Sequence, residues 1–363
     1  EEIQEILHKL YDPAGNEAEE AETDGAEPPR PAVDALTDAD RNLLVGELDW
    51  FGRLALNPPG EPDAATRAEV VRSAVRVFHV LAGAMGGAAV VGLAGFVGLI
   101  VLLVLACIGN LRDGMEPGGA HHGLYAETFA VWMVLFLCMQ LVAGAVALAL
   151  PKAGMMLLLA GFFASLVALV WPVIRGASWG SVRRDIGWTL GRAPGLEPLI
   201  GVGGYAMAIP LLTIGVLCTL VLIAIQTLFA GEPGTFESTA GPAHPVILEL
   251  AGGWWPKVQI LLLAAIAAPI VEETMFRGVL YRHLRDATGR MGIWGSVLIS
   301  ATINGFIFAA IHPQGWVAIP ALMALAYSFI ILREWRGTVI PSIIVHGISN
   351  GLVMSMVIAL LGA

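Results

Sequence analysis

The chain is short of charge. Only 14% of its 363 residues are Asp, Glu, Lys or Arg, against about 25% in a soluble globular chain. Instead 56% are hydrophobic and the mean hydropathy is +0.74, which excludes an ordinary soluble domain. Cysteine is equally scarce. Cys107, Cys138 and Cys218 each sit inside an apolar run, so they read as packing residues, and neither a disulfide framework nor a cysteine-rich metal cluster is expected. There is no basic surplus: the formal net charge is -10, and much of the acid lies in a tail ending near Asp63. That argues against nucleic acid as a partner. No signal peptide is visible, because the start at Glu1 is acidic where a signal is basic and then apolar. Three protease signatures are also missing: His-Glu-x-x-His, Gly-x-Ser-Gly and Gly-x-Gly-Asp.

What the chain does have is apolar runs of the roughly 20 residues that cross a bilayer as helix. Residues up to about Asp63 form an acidic tail. Glu17 to Pro31 has almost nothing apolar to bury and reads as disordered linker. Two amphipathic patches flank it, Ile3, Ile6, Leu7, Leu10 and then Leu43, Leu44, Leu48, Phe51, and a solvated or membrane-skimming tail is expected. The first span lies within Val77 to Ile108. It carries Gly83 and Gly87, and Gly92, Gly95 and Gly98, spacings that let helices approach closely. After a loop with Arg112, Asp113, Glu116, His121 and His122, further spans are expected at Phe129–Leu150, Ala153–Ile174 and Leu199–Phe229, the last with Pro210 as a kink. Between the third and fourth, Arg175, Arg183, Arg184 and Arg192 alternate with Trp179, Ile186, Trp188 and Leu190, a mix suited to a helix lying in the interface. An acidic loop from Gly231 to Gly253 closes on Trp254 and Trp255, an interfacial anchor. The last four spans are Val258–Leu280, continuing to Arg285, then Gly292–Ile311, Trp316–Leu332 and Val339–Leu361. The arginines at 175–192, 282–290 and 333–336 fall on one side, expected to be cytoplasmic, while Arg67, Arg72 and Arg76 before the first span argue for the opposite orientation. The expected fold is therefore all-α, a polytopic membrane bundle of about eight helices with a largely disordered acidic N-terminal tail.

The chemistry concentrates in the last third. Glu272, Glu273 and Arg277 stand in a run with no other charge back to Val258. A charge at the centre of a spanning helix costs about 2.5–3.5 kcal/mol even on the lenient scale, so such residues mark function or a partner. Glu273 precedes Arg277 by four, the favourable order for a helical ion pair. Glu272 is then the acid left for chemistry, with the reverse assignment as the alternative. Asn304, Phe308 and His312 share one helix face, as do Ser342, His346 and Asn350. Helix rises put Glu272 and His312 within about 10 Å in depth. A carboxylate in apolar surroundings has its pKa raised, toward the range of a general base. It can take a proton from water that a histidine orients, while the second histidine and Asn350 donate to an oxyanion. The other option is zinc on His312, His346 and Glu272 with one open position.

At these residues the chain resembles the CPBP family, the CaaX-protease and bacteriocin-processing type of intramembrane protease, also called Abi. The motifs are Glu272-Glu273-x-x-x-Arg277, Phe308-x-x-x-His312 and His346-x-x-x-Asn350, and the resemblance covers about Ile247 to Met356. It implies an intramembrane endopeptidase with Glu272, His312 and His346 catalytic, Asn350 supporting the last histidine or the oxyanion, and either a glutamate or a metal-dependent mechanism. The domain organisation expected is an acidic tail at 1–76, accessory membrane helices at 77–246 and a CPBP-like catalytic core at 247–363. The partners expected are membrane lipid and a peptide or protein substrate, prenylated or membrane-embedded, in a bacterial cytoplasmic membrane. The alternative function is a non-enzymatic immunity or assembly factor that binds a partner within the bilayer.

Overall fold

Within hydrocarbon a backbone must satisfy its own polar groups, and a single apolar run can do that only as helix. A computed structural model of the chain describes residues 2–11, 33, 36–48, 50–57, 64–110, 114–115, 123–230 and 254–361. Among these residues the regular structure is helical, with no strand. The expected linker at Glu17–Pro31, the loop residues Arg112, Asp113, Glu116, His121 and His122, and the acidic loop at 231–253 lie outside the described residues.

Two compact units divide between Ala88 and Ala89. In the first, the amphipathic patches become α1 (Glu2–Tyr11), α2 (Asp38–Leu48) and α3 (Trp50–Ala55). Thr37 and Asp40 cap α2 reciprocally, each backbone N–H donating to the other's side chain, at 3.0 and 3.2 Å. Ile6, Leu10, Leu36 and Leu44 are buried together with Ile3, Leu7 and Leu48 around them. These apolar faces therefore pack on each other, where the sequence had suggested solvent or a membrane surface. Helix α4 (Ala64–Cys107) starts in this unit and runs on into the second.

The second unit continues with α5 (Leu124–Ala149), then α6 (Pro151–Ser165), prolonged by a 3-10 turn (Leu166–Val170) and α7 (Trp171–Ile174). Next come the short α8 (Trp179–Asp185) and the long α9 (Glu197–Ala230), which is helical straight through Pro210. The fifth span is composite. It consists of α10 (Trp254–Leu262), a π turn (Leu263–Ala267), α11 (Ala268–Glu272), a second π segment (Glu273–Leu280) and α12 (Tyr281–Thr288). Helices α13 (Gly292–Ala310), α14 (Ile319–Arg336) and α15 (Ile340–Leu361) complete the chain. Among the described residues, seven stretches are long and apolar enough to cross a membrane. One of them, Trp254–Ala310, is 57 residues long and turns back at Gly289–Gly292, where Gly292 has φ 72°. It therefore supplies two crossings, which gives the eight expected.

The packing is that of a membrane protein. Large apolar side chains such as Leu141, Val142 and Leu217 are exposed on α5 and α9, and the buried positions include Thr, Ser, Glu and Arg. The gap between α4 and α9 is closed by glycine: a Cβ at Gly95 would lie 1.8 Å from Ala206 O, and one at Gly92 2.9 Å from Ile209 Cγ2. A Cβ at Gly83 or Gly87 would meet nothing outside its own helix turn within 4 Å among the described residues. An aromatic ladder runs Phe136, Trp132, Phe276, Phe308 with centroids 5.2, 5.7 and 5.2 Å apart, and it fastens α5 and α13 to the composite span. The arginine-bearing loops gather at one end of the unit. Gly114 N–H donates to Glu334 O (2.7 Å), Arg285 pairs with Glu334 (2.6 Å) and Arg336 with Glu197 (2.8 Å).

Candidate active site

The site begins with a defect in the composite span. Pro269 has no N–H, so the carbonyl four residues earlier, that of Ala265, has no α-helical donor. The backbone answers with the π turn at Leu263–Ala267. Helix α15 comes in close against this turn. A Cβ at Gly347 would lie 2.6 Å from Ala265 O, and Asn350 Nδ2 donates to Ala264 O at 3.0 Å. A π segment is rare and found frequently at functional sites; here a second one, Glu273–Leu280, follows directly after Glu272.

Glu273 is fully buried and its Oε1 serves two partners. Arg277 Nη1 donates to it at 3.0 Å and His346 Nδ1 at 2.9 Å. Arg277 is also fully buried, its guanidinium carbon 4.3 Å from the Phe308 ring centroid and 4.8 Å from that of Phe329. The His346 ring stacks on Phe329, with centroids 4.9 Å apart and planes at 19°. Asn304 Nδ2 donates to Phe276 O at 2.8 Å and holds α13 in register with the π segment. His312 Nδ1 donates to Phe308 O.

These bonds fix the tautomers. A carbonyl oxygen only accepts, so Nδ1 of His312 carries the proton, and Nδ1 of His346 likewise donates to the Glu273 carboxylate. The Nε2 atoms of both rings then face Glu272. Glu272 Oε2 lies 3.9 Å from His312 Nε2 and 3.8 Å from His346 Nε2, and it is buried without a hydrogen-bond partner among the described residues. Glu272 and His312 keep 17% and 18% of their side-chain surface, whereas His346 keeps 2%, so the group opens on the Glu272–His312 side. His312 stands just past the end of its span. Burial holds its imidazole below the ordinary value, opposed by the Glu272 carboxylate.

The structure thus brings Glu272, Glu273, Arg277, His312 and His346 together. Asn350 is used differently: among the described residues it makes no hydrogen bond to Glu272, His312 or His346 and ties α15 to the π turn. Three contributors had no signal in the sequence. Phe329 looks like any aromatic in an apolar run. Arg333, read only as a topology charge, is buried and donates from Nε to Arg277 O (3.3 Å). Trp188 Nε1 donates to Thr274 Oγ1 (2.9 Å) from 86 residues away.

The donors suit zinc chemically, but in the arrangement seen they stand wider apart than the ligands of one ion. Ligands held about 2.0–2.1 Å from tetrahedral zinc stand roughly 3.3 Å apart, closer than the 3.8 and 3.9 Å found here. Among the described residues, no group of three or more His, Cys, Asp or Glu is placed to hold a metal ion. A water set to one side of both atoms can bond to each at about 2.8 Å.

These features define an integral membrane protein with a carboxylate–histidine site suited to moving a proton to and from water. Residues 253–352 match the Rce1-like family model, described as type II CAAX prenyl endopeptidase Rce1-like, which bears out the family resemblance over that segment. No curated protein and no solved structure gives a significant match.

Proposed function

We propose that the protein is an intramembrane endopeptidase that hydrolyses peptide bonds through a water held between Glu272 and His312. The observation that carries this reading is the buried, unpartnered Glu272 Oε2, flanked at 3.9 and 3.8 Å by the two imidazole Nε2 atoms. Glu272 takes a proton from the water as its oxygen bonds to the scissile carbonyl carbon, and the neutral His312 accepts the water's second hydrogen and aims it. His346, fixed on Glu273 through Nδ1, presents Nε2 to the same space; when the ring carries a proton on both nitrogens, Nε2–H donates a hydrogen bond to the oxyanion and keeps its proton as the intermediate collapses. Glu272 then returns its proton to the leaving amine as the C–N bond breaks. Asn350, bonded to Ala264 O, supports this by setting the position of α15. The family match at 253–352 supports a membrane-embedded peptide substrate, prenylated CaaX segments among the candidates; the membrane we propose for it is a bacterial cytoplasmic one.

Residues that act on one water are not additive. Glu272→Gln and His312→Ala should each lower kcat by about 10²–10⁴, and the double variant should fall little further. Multiplicative losses would mean that the two do not share a water, and this mechanism would fail.

A further inference from the structure

The segment between α7 and α9 plays no part in the proposed reaction, yet its charge is sorted by side. Spans end at Ile174 and resume at Glu197, so the residues between run along the end of the unit at the membrane–water boundary. The inner side is fixed to the bundle. Val182 and Ile186 are buried, Arg333 Nη2 donates to Asp185 O (2.9 Å), and Thr338 Oγ1 donates to Thr189 O (2.8 Å). The acids are also occupied there. Asp185 accepts from the Tyr125 hydroxyl (2.7 Å), and Glu197 takes Arg336 through both oxygens (3.0 and 2.8 Å). The outer side shows Arg183 and Arg184, both exposed, beside Trp179 and Leu190, 43% and 68% exposed. An outward face of arginine, tryptophan and leucine, with its acids turned in, complements an anionic bilayer surface.

We infer that α8 and its flanks form a collar for anionic phospholipid. Arg183 and Arg184 take the headgroup phosphate, and Trp179 and Leu190 sit at the acyl boundary. The collar braces the helix that carries Glu272. Trp188 bonds Thr274, and a Cβ at Gly278 would lie 2.8 Å from Ile186 O, so the π segment cannot shift without the collar. A lipid bound there stabilises the folded chain by mass action, whatever the substrate.

The test uses the full chain in neutral detergent, with phosphatidylglycerol and phosphatidylcholine offered at equal concentration and retention read by native mass spectrometry. The parent should retain phosphatidylglycerol in preference and melt higher with it. Arg183→Gln/Arg184→Gln should lose retention of that lipid roughly 25-fold, at about five-fold per arginine, with phosphatidylcholine retention and the melting temperature in phosphatidylcholine unchanged. Should the double variant not fold, the single variants, each expected to lose about five-fold, decide the same question. Arg290→Gln, exposed at the turn before α13, should match the parent. Equal retention of the two lipids by the parent, full retention by the arginine variants, or an equal loss in Arg290→Gln would overturn the collar.

Discussion

Replacing Glu273 by alanine should destabilise the protein more than any other change at the site, and the structure sets the size. Arg277 is fully buried with Glu273 as its ion-pair partner, and Glu273 also accepts from His346 Nδ1. Removing one member of a buried pair costs about 3–5 kcal/mol, because the other charge stays dry. Leaving the His346 N–H unsatisfied adds about 1–3 kcal/mol. The Phe308 and Phe329 rings, 4.3 and 4.8 Å from the guanidinium carbon, offset on the order of 2 kcal/mol as cation–π partners. A net loss of about 4 kcal/mol, at roughly 2 °C per kcal/mol, the low end of the range for large chains, lowers Tm by about 8 °C. The assay is thermal unfolding in detergent followed by intrinsic tryptophan fluorescence. The control is Glu273→Ala/Arg277→Met, which removes both charges and should recover most of the loss, since apolar replacement of a whole buried pair is often neutral. A Tm for Glu273→Ala within about 2 °C of the parent would refute the reasoning, as would a double variant melting no higher than the single.

Other outcomes follow from the same geometry. Because burial holds the His312 imidazole below its ordinary value, its neutral form persists to more acid pH, so an acid limb of kcat that vanishes in His312→Gln should lie below about 6.5; such a limb above that value would show His312 titrating higher than the structure requires. Gly95→Leu should destabilise the α4–α9 contact by about 1–3 kcal/mol through overpacking, since even a Cβ would fall 1.8 Å from Ala206 O. Gly83→Leu, whose Cβ would meet nothing outside its own helix turn within 4 Å among the described residues, should leave Tm unchanged.

The spans were legible in the sequence because bilayer thickness sets their length, and the faces of α13 and α15 because residues four apart share a side. That is why Asn304, Phe308 and His312, and Ser342, His346 and Asn350, are readable as rows. The composite span was harder. Pro269 announces a missing donor, but only the packing of Gly347 and Asn350 on the widened turn explains why the chain keeps it. Estimated from helix rises alone, Glu272 and His312 were within about 10 Å in depth; their polar atoms in fact stand 3.9 Å apart. Pairings between distant segments left no trace. Trp188 with Thr274, Arg333 with the Arg277 carbonyl, and Phe329 under His346 depend on how helices cross, which no local pattern encodes. The small core of the N-terminal unit was missed for the same reason: two amphipathic patches say that each has an apolar face, not that the faces meet.

The most direct test of the account is cleavage of a quenched peptide library that includes prenylated CaaX peptides. Purified parent and Glu272→Ala proteins would be compared, each with and without a zinc chelator. The account requires cleavage by the parent, unchanged by chelator, and none by a Glu272→Ala protein that still melts cooperatively. Cleavage that survives the loss of Glu272, or that stops when metal is chelated, would contradict it.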